Sequence, residues 1–195
     1  MMRCKWLNII LILISVALFV ACENRNAPIP RRYAYPMIDT YPESYTQIPR
    51  LPLNIEKNDS ATVLTDSVQD DGNRWITIYY PRYNSHLYLT LSQCTTAEKM
   101  EEVVSNRTQR IALNTGGNDY EQTETTNNQG FTSTILKING SSANPVMFIA
   151  TDSQKYVVSG IFYMDDGEAA TKPDSVSPIR DAAERDIIHL SKNLR

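Results

Sequence analysis

Asp186 and His189 come closest, in type and spacing, to side chains that could do catalytic chemistry in this 195-residue chain. They stand three residues apart in a segment of helical periodicity, so the carboxylate could orient the imidazole as in many hydrolases. The sequence has no GxSxG motif for a serine nucleophile and no HxH, HExxH or CxxC motif for a metal. The favoured interpretation is a structural hydrogen-bonded pair. The alternative is a small-ligand-binding or hydrolytic pocket near the two residues.

The first 21 residues have the pattern of a lipoprotein signal peptide. Arg3 and Lys5 precede an apolar run of 14 residues, which is too short to span a bilayer. The run ends at Ala21–Cys22, a small residue before a cysteine. We therefore expect residues 1–21 to be removed and Cys22 to carry the acyl chains, such as palmitate, that anchor the protein to a membrane. An uncleaved apolar anchor is the alternative.

Composition narrows the classes of function further. Processing at Cys22 would leave Cys94 as the one free thiol, and no nearby histidine could activate it, so a half-buried structural residue is expected. The net charge of −3 and the lack of a basic stripe argue against nucleic acid as a partner. The segments "DDGN" and "DDGE" lack the alternating ligands of a calcium loop and are predicted to be turns. No cofactor or metal is expected.

Three short motifs place serine between aspartate and a small apolar residue, at Ser60, Ser67 and Ser175. Each resembles the O-glycosylation acceptor of exported proteins in the Bacteroidetes. Such short motifs also arise by chance, and that alternative stays open. All three serines are expected in loops or at strand edges, where a sugar could be attached.

Apolar periodicity predicts the elements that position these residues. "RWITIYY" and "HLYLTLS" alternate as a hairpin across "PRYNS". "VMFIAT", apolar on both faces, is predicted to be the central strand and to form a second hairpin with "YVVSGIFYM". Helices are predicted at about 96–113, capped by Thr95 and Glu98, and at 178–194, with Pro178 first. "NTGGNDYEQTETTNNQG" is expected to be a polar loop. This order predicts an α+β fold: an antiparallel sheet built from hairpins and packed by two main helices.

The proline distribution divides the chain. Six of the ten prolines lie between positions 28 and 52. Residues 22–32 are predicted to be a lipidated, flexible tether, and residues 33–195 a single α+β domain. This domain would begin with a Pro/Tyr-rich extended segment; its tyrosines are Tyr33, Tyr35, Tyr41 and Tyr45.

The last helix shows an apolar stripe with two misplaced residues. The stripe consists of Ile179, Ala183, Ile187, Leu190 and Leu194. Asp186 falls inside it, so this carboxylate is predicted to be buried, with Arg107 as its partner and His189 or backbone N–H groups as alternatives. Ile188 falls on the opposite face. It is expected to be covered either by the Tyr33–Tyr45 segment or by a partner protein.

Four segments in order, "RRYAYPMIDTYPESY", "WITIYYPRYNSHLYLTL", "TDSQKYVVSGIFY" and "RDIIHL", resemble the gliding motility lipoprotein GldD family. The resemblance implies a cell-envelope lipoprotein of Bacteroidetes that is needed for gliding and linked to the type IX secretion machinery. It carries over no catalytic residue and no cofactor. We therefore expect a non-enzymatic component that binds other envelope proteins. "CENRN" after the leader has only Glu23 as an acid, which favours a domain facing the periplasm.

Overall fold

The framework of the protein is a seven-stranded antiparallel sheet. The structure is a computed structural model that describes residues 39–140, 142–165 and 173–195. In this part of the chain the strands are β1 Tyr45–Gln47, β2 Glu56–Asn58, β3 Thr62–Val68, β4 Arg74–Tyr80, β5 Ser85–Gln93, β6 Tyr120–Thr126, β7 Thr132–Ile138, β8 Val146–Thr151 and β9 Tyr156–Met164. The helices are α1 Ala97–Asn114 and α2 Pro173–Asn193. The large sheet has the order β3-β4-β5-β9-β8-β7-β6, and β1 and β2 form a separate pair.

Both predicted hairpins are present. β4 alternates buried Ile76, Ile78 and Tyr80 with more exposed neighbours, as a strand packed on one face should. A short 3-10 turn, Pro81–Tyr83, leads into β5, and Asn84 adopts the left-handed conformation at φ 43° that closes the turn. β8 and β9 form the second hairpin. The predicted α+β class with an antiparallel sheet and two helices is confirmed.

The two helices lie on opposite faces of the sheet. Alternate residues of β8 belong to two different core clusters. Phe148 packs in the main core with α2 and the β1–β2 hairpin, whereas Met147 packs in a second core with α1. This arrangement explains why β8 is apolar on both faces. The centre of the sheet is β9, so the predicted central strand lies one position away from it.

The helix ends differ from the predicted ones. Thr96, rather than Thr95, caps α1, and its hydroxyl accepts a hydrogen bond from the backbone N–H of Lys99. α2 begins at Pro173, so Pro178 lies inside the helix and not at its first position. There Pro178 has no N–H to donate to the carbonyl four residues earlier. At the other end of α2, Asn127 donates to the carbonyls of Ser191 and Leu194, which satisfies groups that a helix end leaves unpaired.

Two edge strands were not predicted. The expected polar loop contains β6, and the segment around Ser67 is β3. Both strands are exposed over nearly their whole length, and they form the two edges of the sheet. Backbone pairing with β4 and β7 holds them in place, so neither strand needs the alternating apolar pattern that predicts a strand.

Candidate functional site

Asp186 is buried on α2, as its position in the apolar stripe predicts, with 5% of its surface exposed. The Tyr45 hydroxyl donates to its Oδ1 at 2.9 Å, and Nη2 of Arg185 lies 3.3 Å from the same oxygen. The prediction that Arg107 is the partner of Asp186 is wrong. Arg107 lies on α1, which packs on the other face of the sheet. The partner that holds Asp186 therefore comes from β1, the first strand of the Pro/Tyr-rich segment.

Burial governs the charge of this carboxyl group. Removal from water raises the pKa of Asp186, and the Tyr45 hydrogen bond and the Arg185 charge lower it by less. The second oxygen, Oδ2, has no well-aligned hydrogen bond within the described residues, although the Asn58 side chain is near enough to lower the pKa slightly. Burial, followed by the bond to Asp186, also raises the pKa of Tyr45 to about 12. Tyr45 thus stays protonated and remains a donor at neutral pH.

His189 bonds to a different partner. Its Nε2 lies 2.7 Å from Oε2 of Glu56 on β2, and its ring stacks on Tyr45 with centroids 3.6 Å apart and planes 8° apart. The bond to His189 lowers the pKa of Glu56. Asp186 and His189 therefore bond to different partners and not to each other, so the prediction that they form a hydrogen-bonded pair is wrong. Each one fastens the β1–β2 hairpin to α2.

The Pro/Tyr-rich segment lies against α2 where the structure describes it. Tyr41 is buried in the main core, and its carbonyl accepts a hydrogen bond from Arg185 at 3.1 Å. Ile188 is half-buried and packs against the same core, so the prediction that it lies on the face opposite the core is wrong. Tyr33 and Tyr35 lie outside the described residues, as do Cys22 and the tether.

The serines of the three short motifs occupy different environments. Ser60 is half-buried in the turn after β2, and Ser67 is exposed on the edge strand β3. The backbone of Ser175 lies in the first turn of α2, not in a loop as expected. Cys94 is buried, and burial raises the pKa of its thiol, which favours a structural over a reactive role.

The sheet has an aromatic face that α1 leaves uncovered. We define it as Trp75, Tyr79, His86, Tyr88 and Tyr163. These side chains point to the α1 side, because the strand register places Tyr88 beside Ile161, which packs against α1's core cluster. α1 lies over β8 and β9, so Trp75 and Tyr88 remain 51% and 45% exposed. Exposed aromatic side chains on one sheet face are unusual for an isolated domain and typical of a contact surface.

The rings of the aromatic face support one another. His86 lies between Tyr79 and Tyr88, with centroids 4.8 Å and 5.7 Å away, and Tyr163 lies 6.3 Å from Tyr88. Nδ1 of His86 also lies 2.8 Å from a carboxylate oxygen of Asp165. These contacts hold the rings in fixed orientations, so the rings themselves would lose little conformational entropy when a partner binds.

A groove of about 400 Å³ runs between α1 and the aromatic face. Its walls are formed by Tyr88, Thr90, Arg107, Arg110, Ile111, Leu113, Asn114, Ser159, Gly160 and Ile161. Arg107 is half-buried there, and burial, then the neighbouring charge of Arg110, lowers its pKa. The sequence showed that Trp75 and Tyr79 share a face with Thr77. It gave no sign that the helix would leave this face open.

Two negative findings concern the described ranges. Among residues 39–140, 142–165 and 173–195, no three His, Cys, Asp or Glu side chains converge as a metal site would require. In the same ranges no helix combines the length and apolar character needed to cross a membrane.

The fold and these surfaces define a class of protein: an α+β scaffold whose buried polar groups hold its parts together and whose aromatic face is open to contacts. The model of one family, gliding motility lipoprotein GldD, matches residues 25–195. The chain belongs to the gliding motility lipoprotein GldD family, as its sequence segments predicted. Membership associates it with gliding motility and, as a lipoprotein, with the cell envelope. Neither a curated protein nor a solved structure matches the chain.

Proposed function

We propose that the protein is a non-enzymatic component of, or accessory to, the gliding and type IX secretion machinery, and that it acts by contacting other envelope proteins. The observation that carries this proposal is the exposed aromatic face beside two arginines. Tyrosine, tryptophan and arginine are the residues most enriched at the energetic centres of protein interfaces. A surface of this composition suits a binding protein better than a catalyst.

The environment of Asp186 and His189 supports the non-enzymatic part of the proposal. Oδ1 of Asp186 accepts hydrogen bonds from Tyr45 and Arg185. His189 contacts the Glu56 carboxylate and stacks on the Tyr45 ring. A general base must be able to reach a proton on a substrate. Here both residues hold two parts of the fold together, which is a sufficient reason for their presence.

The lipid on Cys22 would keep this surface at a membrane. We infer a domain that faces the periplasm, because the residues after Cys22 include a single acid, Glu23, followed closely by Arg25. Partners that share the membrane would then meet the aromatic face at high local concentration.

Complementation of a deletion strain tests whether the protein is an enzyme. We expect His189→Phe to restore gliding, because phenylalanine keeps the ring stacked on Tyr45 and loses only the ring-nitrogen contacts with Glu56 and Asn193. Glu56→Gln, the matched control, removes the carboxylate that His189 contacts and leaves the ring in place. Cys22→Ala should fail to restore gliding because it removes the anchor. Loss of gliding in a His189→Phe protein of normal melting temperature would favour the pocket near Asp186 instead.

We also propose that at least one of Ser60, Ser67 and Ser175 carries an O-linked glycan. Ser67 is the most accessible of the described candidates, since it lies exposed on an edge strand. The intact mass of the protein purified from its native host should exceed that of the lipidated polypeptide, and Ser67→Ala should remove part of the excess. A mass equal to that of the lipidated polypeptide would exclude the modification.

A further inference from the structure

We propose that the groove between α1 and the aromatic face binds an acidic segment of a partner protein. This inference rests on the proposed function and adds the place and the chemistry of one contact. Arg107 and Arg110 would bind carboxylates, while Tyr88 and Leu113 would cover the aliphatic parts of the segment.

The charge of the groove selects an acidic ligand. Two arginines line it, three residues apart on α1, and no carboxylate is among its lining residues. Burial, and then the charge of Arg110, lower the pKa of Arg107, and Asp71 in the turn before β4 partly offsets this effect. A carboxylate placed between the two guanidinium groups would relieve this repulsion and form charge-assisted hydrogen bonds.

The apolar part of the groove selects a polypeptide over a polysaccharide. Leu113 is 74% exposed at the rim, and Ile111 and Ile161 form part of the wall. Covering such surface is favourable for aliphatic or aromatic side chains and unfavourable for a chain rich in hydroxyl groups. The groove also adjoins the aromatic face through Tyr88, which belongs to both.

Site-specific photo-crosslinking in the native host tests the inference with the full chain. A benzophenone amino acid replaces Leu113, whose exposure at the rim makes the exchange tolerable. We expect one protein adduct, reduced about tenfold by Arg110→Glu in the same chain. Lys192→Glu makes the same change of charge on an exposed residue of α2, behind the sheet, and should leave the adduct unchanged. Arg110→Gln, a milder change, should reduce the adduct less than the reversal.

The identity of the crosslinked peptide decides the result. A peptide rich in Asp and Glu supports the inference, and reversal of those acids to Lys in the partner should restore the adduct to Arg110→Glu. No adduct, a peptide without acids, a carbohydrate adduct, or equal loss with Lys192→Glu would each overturn it. If both variants melt at the same temperature as the natural protein, unfolding is not the cause of a lost adduct. The complementation test with His189→Phe does not depend on the groove. The proposed function can therefore hold even if the groove binds no acidic segment.

Discussion

Gly160→Val is expected to lower the free energy of unfolding by about 3 kcal/mol, the upper part of the range for overpacked cores. Gly160 lies in β9, the central strand, with Phe148 opposite it on β8 and Leu89 opposite it on β5. A Cβ atom there would lie 2.7 Å from Cδ2 of Leu89 and nearer still to Cε1 of Phe148. Both neighbours are almost completely buried, so neither can move away without disturbing the main core.

Urea unfolding of Gly160→Val against the natural protein measures the effect. Phe148→Leu is the matched test of the cause, because a smaller side chain opposite Gly160 should recover part of the lost stability in the double variant. The two substitutions should therefore be non-additive. An unchanged unfolding midpoint in Gly160→Val would mean that the ring of Phe148 does not fill the space above Gly160.

Part of the fold could be predicted because it depends on the apolar periodicity of individual strands and helices. The alternation in β4 and β5, and the short turn between them, predicted their hairpin. The stripe of α2 predicted which of its faces is buried, and Asp186 is buried as a result. These features depend on residues that are close together in the chain.

What could not be predicted depends on which face of the sheet each helix covers. Arg107 and Asp186 both lie on the inner sides of amphipathic helices, and the sequence offers no sign that a sheet separates them. The aromatic face could not be predicted for the same reason. It is exposed only because α1 does not extend over β4 and β5. Gly160 is similar: its role follows from cross-strand register with Phe148, which is set by the whole sheet.

Asp186→Ala should lower the free energy of unfolding by about 1–3 kcal/mol, because it leaves the half-buried Tyr45 hydroxyl without its acceptor and the Arg185 guanidinium without one of its acceptors. Asp186→Asn should cost less, since an amide oxygen can still accept from Tyr45. Tyr45→Phe, the control from the other side of the bond, keeps the ring on His189 and removes only the donor. Equal stability of all three variants and the natural protein would mean that the hairpin is not fastened through Asp186.

The pH dependence of stability separates the charge of Asp186 from its hydrogen bond. Burial raises the pKa of Asp186 in the folded protein, so the folded state binds this proton more tightly than the unfolded state does. The natural protein should therefore gain stability relative to Asp186→Asn as the pH falls through the raised pKa. The gain should be complete below the ordinary pKa of aspartate, and it should be lost again as the pH rises. Urea unfolding of both proteins across this range measures the difference. Parallel curves would contradict a raised pKa, and a relative loss at low pH would show that Arg185 and Tyr45 outweigh burial.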